Sequence, residues 1–471
     1  MSSGNRLPVA LVCAFLACTA RPAVAESQQQ KLNQEFQAAV AQYSAGHYAE
    51  AASELEALLP QVPKSFEAHE LLGMVYAAQS RDAEAIQQLG IAVRLKPDSA
   101  AARTNLAASL FHAHKNDLAG VQFRKALALE PNDYSANHNL AEFYIQSGKV
   151  AEAQPLLARA QQIKPDAYDN GYDLAMADFM LGHLDAARQV VQALLQERNT
   201  GELHNLLAQI DEKDGKYVAA ANEFETAAHI DPSEENLFSW GSELLLHRTY
   251  EPAVEVFQTA TQRFPDSVRL QIGLGMALYA RGLYEGAIGA LMRAVDLSPT
   301  NPHGYAFLSK AYESSPKQAS EVIQRFQRYA ELEPNNAKAQ YYYAMSLWKG
   351  KQLEDSSLNV PQVEGLLQKA IALDGSFADA HLQLGNLYAN QHEYQKSIPE
   401  YQRALELDPS LSDAHYRLGT DYVHVGQKDL ARKEFAIYQT LRSQHMAESD
   451  KERAAIKQFV ISANGAPAAK P

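Results

Sequence analysis

The stretch His381-Leu-Gln-Leu-Gly-Asn-Leu-Tyr388 decides the fold, because its pattern returns elsewhere in the chain. His69-Glu-Leu-Leu-Gly-Met-Val-Tyr76 and His415-Tyr-Arg-Leu-Gly-Thr-Asp-Tyr422 repeat its His, Leu, Gly and Tyr at the same spacing. The stretch at 415 follows the one at 381 by 34 residues. A period of this length is typical of stacked helical units and not of one closed core.

Small residues and prolines extend this period along most of the chain. Alanines recur at steps of 33 or 34 residues: Ala51, Ala85, Ala119, Ala153, Ala187, Ala220, Ala253 and Ala287. Prolines follow a similar step at Pro63, Pro97, Pro131, Pro165, Pro232, Pro265, Pro299 and Pro334, and Asn199 stands where one proline is missing. Pro409 follows Pro334 by 75 residues, which is 41 plus 34. The pattern predicts a helix, a short turn, a second helix and a proline in each unit.

Local residues predict where the helices begin and end. Proline stops a helix, and we expect the next residue to cap the following helix: Asp98, Asn132, Asp166 and Ser410. Glycine-containing clusters at 44–47 and 146–149 predict the turns inside the units.

With these residues the chain resembles the tetratricopeptide-repeat family. The unit that begins near His69 continues with the expected Ala85, Leu89, Ala92 and Pro97. The resemblance implies an all-α, right-handed superhelical solenoid of about twelve helix-turn-helix repeats, from about residue 32 to 444. Small residues are expected where paired helices cross, among them Gly73, Ala107, Gly241, Gly275, Gly385 and Gly419.

Two features depart from the family pattern. The early tryptophan of each repeat is absent, with histidine in several repeats and Tyr305 in another. The tenth repeat also carries about seven extra residues near 350–362, between its two helices. This insertion is a second candidate contact surface, and a tolerated surface loop is an equally good interpretation.

Both ends of the chain differ from the repeats. Residues 1–25 have the layout of a secretory signal peptide, with Arg6, an apolar run and cleavage predicted after Ala25. A lipid anchor at Cys18 is the weaker alternative. Residues 26–442 are assigned to the solenoid, and 443–471 to a C-terminal capping helix with a disordered tail. No stretch is long and apolar enough to predict a transmembrane helix.

Composition limits the kinds of chemistry and partner. Both cysteines, Cys13 and Cys18, lie in the predicted leader, so we expect no disulfide and no cysteine nucleophile or metal ligand in the mature chain. The formal net charge is −14, and −16 without the leader's Arg6 and Arg21. An acidic surface repels phosphate backbones, so we expect no nucleic-acid partner.

No motif for catalysis, a cofactor or a metal emerges. His69, His204, His381 and His415 share one early repeat position, and His47, His114, His183, His247 and His392 share the turns, so the repeat explains them. His112 and His114 lie close together without a metal-binding motif or a carboxylate partner. Gly273-Leu-Gly275 falls inside a helical repeat, which excludes a phosphate-binding loop. We therefore predict a non-enzyme without metal or cofactor.

The resemblance implies that the first helix of each pair lines a binding groove. In that register the candidate partner-binding residues are Tyr172, Met176 and Phe179 in repeat five, Phe238, Ser242 and Leu245 in repeat seven, Ile272, Met276 and Tyr279 in repeat eight, and Tyr341, Met345 and Trp348 in repeat ten. Each set spans one helix face. Ordinary core packing is an equally weighted alternative for some of them. The same positions are polar in repeat six (Asn205, Gln209, Glu212) and repeat nine (Ala306, Lys310, Glu313).

These observations predict an exported, non-catalytic scaffold or adaptor in the cell envelope that binds protein or peptide segments. Periplasmic or extracellular location follows from the leader. One alternative is a component of an assembly machinery for outer-membrane proteins, pili or polysaccharide export. A weaker one is an enzyme with a site in the groove. A clamp for a partner's C-terminal carboxylate is not supported, since Leu382 stands where its lysine should be, although Asn386 fits.

Overall fold

The computed structural model describes residues 23–316, 318–351 and 360–444, and the described part is helical throughout, without a strand. Most of the predicted leader, residues 352–359 of the repeat-ten insertion and residues 445–471 of the predicted cap and tail lie outside the described residues. None of the described helices is long and apolar enough to cross a bilayer.

Within the described residues, twelve first helices alternate with twelve second helices, which confirms the predicted repeats. The first helices are α1 (Ala23–Ser44), α3 (Phe66–Ala78), α5 (Ala100–His112), α7 (Tyr134–Gln146), α9 (Tyr168–Leu181), α11 (Gly201–Lys213), α13 (Glu234–Leu246), α15 (Val268–Ala280), α17 (Pro302–Ser314), α19 (Ala337–Lys351), α21 (Ala378–Asn390) and α23 (Ser412–His424). The second helices are α2 (Tyr48–Leu58), α4 (Asp82–Leu95), α6 (Asn116–Leu129), α8 (Val150–Ile163), α10 (Leu184–Glu197), α12 (Tyr217–Ile230), α14 (Tyr250–Arg263), α16 (Tyr284–Leu297), α18 (Ala319–Leu332), α20 (Val360–Leu373) and α22 (Tyr394–Leu407), followed by a helix over 428–444.

The chain divides into two compact units, Met1–Val190 and Val191–Pro471, with the boundary inside α10. In the first unit α3 packs on α4 and α4 on α5, and in the second unit α15 packs on α16 and α16 on α17, so first and second helices contact each other in chain order. The core of each unit is a series of apolar clusters; most join one or two neighbouring repeats, and the longest runs from Ala228 on α12 to Ala339 on α19. Such a series is what a repeat protein builds, because each unit contacts mainly its neighbours.

Paired helices cross closely at the predicted small residues. A Cβ atom added to Gly385 would lie 2.7 Å from the Tyr401 ring, and one added to Gly73 would lie 2.5 Å from Leu89 Cγ. Both distances are far inside van der Waals contact. A larger side chain there would force the helices apart at a cost of about 1–3 kcal/mol.

The turns inside the units lie where the sequence predicted them, but the N-caps of the helices do not lie at the predicted residues. Gly46 and Gly148 have φ of 80° and 72°, in the left-handed region that glycine adopts without strain. The N-caps are Ser99 and Asp133, one residue later than the predicted Asp98 and Asn132, and their side chains accept the Ala102 and Ala136 amides.

The remaining two cap predictions also fail. Ala167, and not Asp166, stands at the cap of α9, and Leu411, and not Ser410, at that of α23; neither side chain accepts a hydrogen bond from the helix. Ser410 instead donates to Asp408 Oδ1 at 2.6 Å. The extra residue completes the turn that follows each proline before the next helix starts.

Candidate functional site

The repeat-eight stripe, Ile272, Met276 and Tyr279 on α15, is open on one side. Ile272 and Met276 are half-buried, and Tyr279 is 37 % exposed. Gly273 and Gly275 flank the stripe on its two sides and lie directly against Phe257 of α14 and Leu291 of α16. These two close contacts fix α15 between its neighbouring helices, while part of the stripe remains accessible to solvent.

The repeat-five stripe has a similar character. Tyr172, Met176 and Phe179 on α9 are half-buried. Met180, the next residue, is 58 % exposed and extends the apolar surface. Methionine and aromatic side chains at such positions suit adaptable recognition of protein segments.

The repeat-seven stripe on α13 is partly occupied by its own neighbours. Phe238 packs edge-on against Phe257 at 6.2 Å between ring centroids, and the Arg269 guanidinium lies 5.2 Å above its ring. Ser242 and Leu245 are half-buried. Leu246, one residue beyond the predicted set, is 64 % exposed and is the most open apolar side chain on this helix.

The repeat-ten stripe is not open as predicted. Met345 is 5 % exposed and Trp348 is 7 % exposed, and both belong to an apolar cluster with residues of α20 and α21. Tyr341 is half-buried, with the Phe377 ring 4.9 Å away. Burial raises the pKa of the Tyr341 phenol well above its usual range. For Met345 and Trp348 the core interpretation holds, because the neighbouring helices cover this face of α19.

In repeat eleven, the residues at the predicted groove positions take part in the packing of the repeat itself. Asn386, which fits the carboxylate clamp in sequence, is buried and accepts the Tyr401 hydroxyl at 2.8 Å. Leu382 is buried in the same region. Neither side chain is available to a partner's carboxylate.

Histidines at the early repeat position join the two helices of a unit. His69 Nδ1 lies 2.7 Å from Gln88 Oε1, and its Nε2 lies 3.2 Å from the Pro63 carbonyl. Three further repeats pair the same histidine with a carboxylate 19 residues on: His204–Glu223, His381–Glu400 and His415–Glu434. These pairs support the structural interpretation of this histidine position.

In repeat six, Asn199 takes the place of the proline in its contact with the early histidine. His204 Nε2 lies 2.6 Å from the Asn199 side-chain oxygen. At His69 and His415 the same nitrogen faces the carbonyl of a proline, Pro63 at 3.2 Å and Pro409 at 3.1 Å. An asparagine amide therefore replaces the proline carbonyl as the acceptor.

Two histidine interpretations need correction. His112 has a carboxylate partner, since its Nδ1 lies 2.8 Å from Asp82 Oδ1, although this pair is exposed. His247 stands at the turn after α13 as predicted, but it also meets two glutamates, Glu212 and Glu243. In the sequence, the contact between Glu243 and His247 was indicated by their spacing, since they lie four residues apart at the end of a helix.

The comparisons with known proteins address the family. Three family models, each described as tetratricopeptide repeat, match residues 110–166 and 147–210, residues 36–100 and 238–302, and residues 378–411. Together these matches cover more than half of the chain. A search of curated proteins found no match.

Solved structures with similar chains include three of different origin. A structure of Naa15/Naa10 bound to HypK-THB is 17 % identical, with 86 % of this chain and 68 % of that chain covered and a TM-score of 0.36. PilF of Pseudomonas aeruginosa is 21 % identical over 44 % of this chain and 95 % of its own, with a TM-score of 0.36. Yeast Tom70 is 15 % identical over 84 % and 97 %, with a TM-score of 0.37.

At these scores the three structures carry no argument about binding or chemistry. The period, the helix pairs, the glycine crossings and the family models agree with one another. The chain belongs to the tetratricopeptide-repeat family.

Proposed function

We propose that this protein is a non-catalytic scaffold of the cell envelope, exported by its leader, that binds segments of partner proteins. The observation that carries the proposal is the repeat-eight stripe. Its helix is held between α14 and α16 by the close contacts of Gly273 and Gly275, while Met276 and Tyr279 stay partly accessible. A rigid helix with accessible aromatic and methionine side chains loses little entropy when it binds.

The partner is an extended or helical protein segment with apolar side chains. Leu283, in the turn after α15, is exposed and continues the apolar surface beyond Tyr279. The Tyr279 and Tyr284 rings lie 5.5 Å apart and add an aromatic contact beside it. An apolar segment that covers these side chains removes them from water, which is the main source of affinity in such a contact.

Location in the envelope rests on the leader and on the cysteine-free remainder of the sequence. The assembly-machinery alternative has no structural observation in its favour. The catalytic alternative would need a convergent acid, base or nucleophile on an open first-helix face. The open stripes of repeats five and eight are instead apolar apart from the Tyr172 and Tyr279 hydroxyls.

The test is a crosslinking pull-down from the native envelope fraction with a Met276→Ala/Tyr279→Ala variant. The matched control is Leu332→Ala, which removes an apolar side chain that is 51 % exposed on the second helix α18. We expect the double variant to lose a specific partner that the control retains, with equal helix content by circular dichroism. Identical partner lists for all three proteins would contradict recognition through this stripe.

A further inference from the structure

Three ligand-type side chains meet between repeats six and seven, at the ends of two adjacent first helices. Glu212 lies in the last turn of α11, Glu243 in the last turn of α13, and His247 directly after α13. Glu243 and His247 are four residues apart, so they lie on one face of the helix. All three belong to the unit Val191–Pro471.

The geometry brings one atom of each side chain to a common point. His247 Nε2 lies 3.2 Å from Glu212 Oε2 and 3.2 Å from Glu243 Oε1. The three ligand atoms lie within 4.8 Å of one another. Ligands that surround a zinc ion tetrahedrally, at about 2.0–2.2 Å from it, lie about 3.4 Å apart.

Glu243 needs a partner that the described residues do not provide. The residue is 5 % exposed, and its Oε1 atom has no hydrogen-bond partner among the described residues. A neutral imidazole has one N–H to donate, and the Nε2 contact that has hydrogen-bond geometry goes to Glu212 Oε2. The 3.2 Å approach to Glu243 is therefore a proximity and not a hydrogen bond.

The charges of the cluster are also unbalanced. Within the described part of the chain, neither Glu212 nor Glu243 forms an ion pair with a lysine or arginine. The Glu243 carboxylate is buried, and its ligand atom lies within 4.8 Å of that of Glu212. Two neighbouring carboxylates in such a place must share either a proton or a cation.

We propose that Glu212, Glu243 and His247 form a site for a divalent transition-metal ion, with Zn²⁺ as the expected occupant. Imidazole nitrogen together with carboxylate oxygen suits Zn²⁺ better than the all-oxygen set that Ca²⁺ or Mg²⁺ prefers. Three protein ligands leave a fourth position. Of the two carboxylates Glu212 is the more open to solvent, with its side chain 27 % exposed against 4 % for Glu243.

The site would tie α11 to α13 and so fix the junction of repeats six and seven. The Tyr217 ring packs against the His247 ring, with 4.6 Å between the ring centroids. The proposal stands without the proposed function, because it rests on the ligand cluster alone. The fourth position is open to water or to a donor atom of a bound protein.

The test uses the full chain, stripped with EDTA, dialysed and titrated with Co²⁺ as a visible probe and then with Zn²⁺. We expect one Co²⁺ per chain with visible absorption, displaced by Zn²⁺, and a higher melting temperature with Zn²⁺. Glu243→Gln and His247→Gln should each weaken uptake by more than about tenfold. Glutamine at 243 is neutral and of the same size, so that variant should fold.

The matched control is Glu400→Gln. It removes the carboxylate from the His381–Glu400 pair, which lies 2.7 Å apart and has a single carboxylate. This control should take up the metal like the wild type. Failure of the wild type to bind one ion would overturn the proposal, as would equal uptake by Glu243→Gln. Equal loss in Glu400→Gln would also overturn it by showing nonspecific histidine binding.

Discussion

The first helices of repeats eight and ten carry apolar and aromatic side chains at equivalent positions, but these side chains differ in how far they are exposed to solvent. In α15 the stripe Ile272, Met276 and Tyr279 is half-open, whereas in α19 the equivalent Met345 and Trp348 are buried. The difference arises from what packs on each helix. Residues of α20 and α21 join Met345 and Trp348 in one apolar cluster. Register fixes the position of a side chain on its helix, and neighbouring helices decide whether it reaches solvent.

The largest expected difference between the two stripes is in stability. Trp348→Ala removes a buried ring and should lower the free energy of unfolding by about 3–5 kcal/mol. Tyr279→Ala at the equivalent position should cost less than about 1 kcal/mol. Urea unfolding followed by far-UV circular dichroism measures both. Equal midpoint shifts for the two variants would contradict the contrast between the stripes.

The methionines offer the same comparison without a change of aromatic signal. Met345→Ala should cost about 2–5 kcal/mol, because a buried side chain leaves a cavity. Met276→Ala should cost about 1 kcal/mol, because this side chain is already half-exposed. The midpoints of urea denaturation again report the difference. A larger loss for Met276→Ala than for Met345→Ala would reverse the assignment of core and surface.

Partner binding should show the opposite order. Once a partner is identified, Tyr279→Ala should weaken its binding by about tenfold, as expected for an aromatic contact at an interface. Tyr341→Phe, which keeps the ring of the more enclosed stripe, should change the affinity by less than twofold (about 0.4 kcal/mol). Titration calorimetry on the two variants measures both values. Stronger loss from Tyr341→Phe would move the binding surface to repeat ten.

The smallest expected effect is at alkaline pH. Burial raises the pKa of Tyr341 above its unfolded value, so the folded state holds the phenol proton more tightly than the unfolded state. The contribution of the Tyr341 phenol to the free energy of unfolding is therefore fully present below about pH 10 and is lost as the pH rises further. Tyr341→Phe should reduce the loss of stability between pH 9 and pH 11, measured as the shift in urea midpoint. An unchanged slope would indicate that Tyr341 titrates like an exposed phenol.

Much of the fold was predictable because the determining interactions are local and periodic. Gly73 and Gly385 mark the close crossings, and the glycines at 46 and 148 occupy the turns. The cap positions were wrong by one residue, since spacing alone does not show where the turn after proline closes. The early histidine position was correctly assigned to structure, although its contact with the proline carbonyl was not predicted.

Less of the candidate site was predictable. Burial of Met345 and Trp348 depends on contacts with residues distant in sequence, which one repeat pattern does not contain. The Glu212–Glu243–His247 cluster joins residues up to 35 positions apart, and only the helix stacking brings them together. The repeat pattern already accounted for His247 as a turn residue, so its contacts with Glu212 and Glu243 were not predicted.

The most direct test of the scaffold proposal is site-specific photo-crosslinking in the native envelope. A photoreactive phenylalanine analogue replaces Tyr279, and in separate chains it replaces Leu332 on α18 as the exposed control. The account predicts a discrete crosslinked partner from position 279 and none of that mass from position 332. The same adduct from both positions, or none from position 279, would contradict recognition through the repeat-eight stripe.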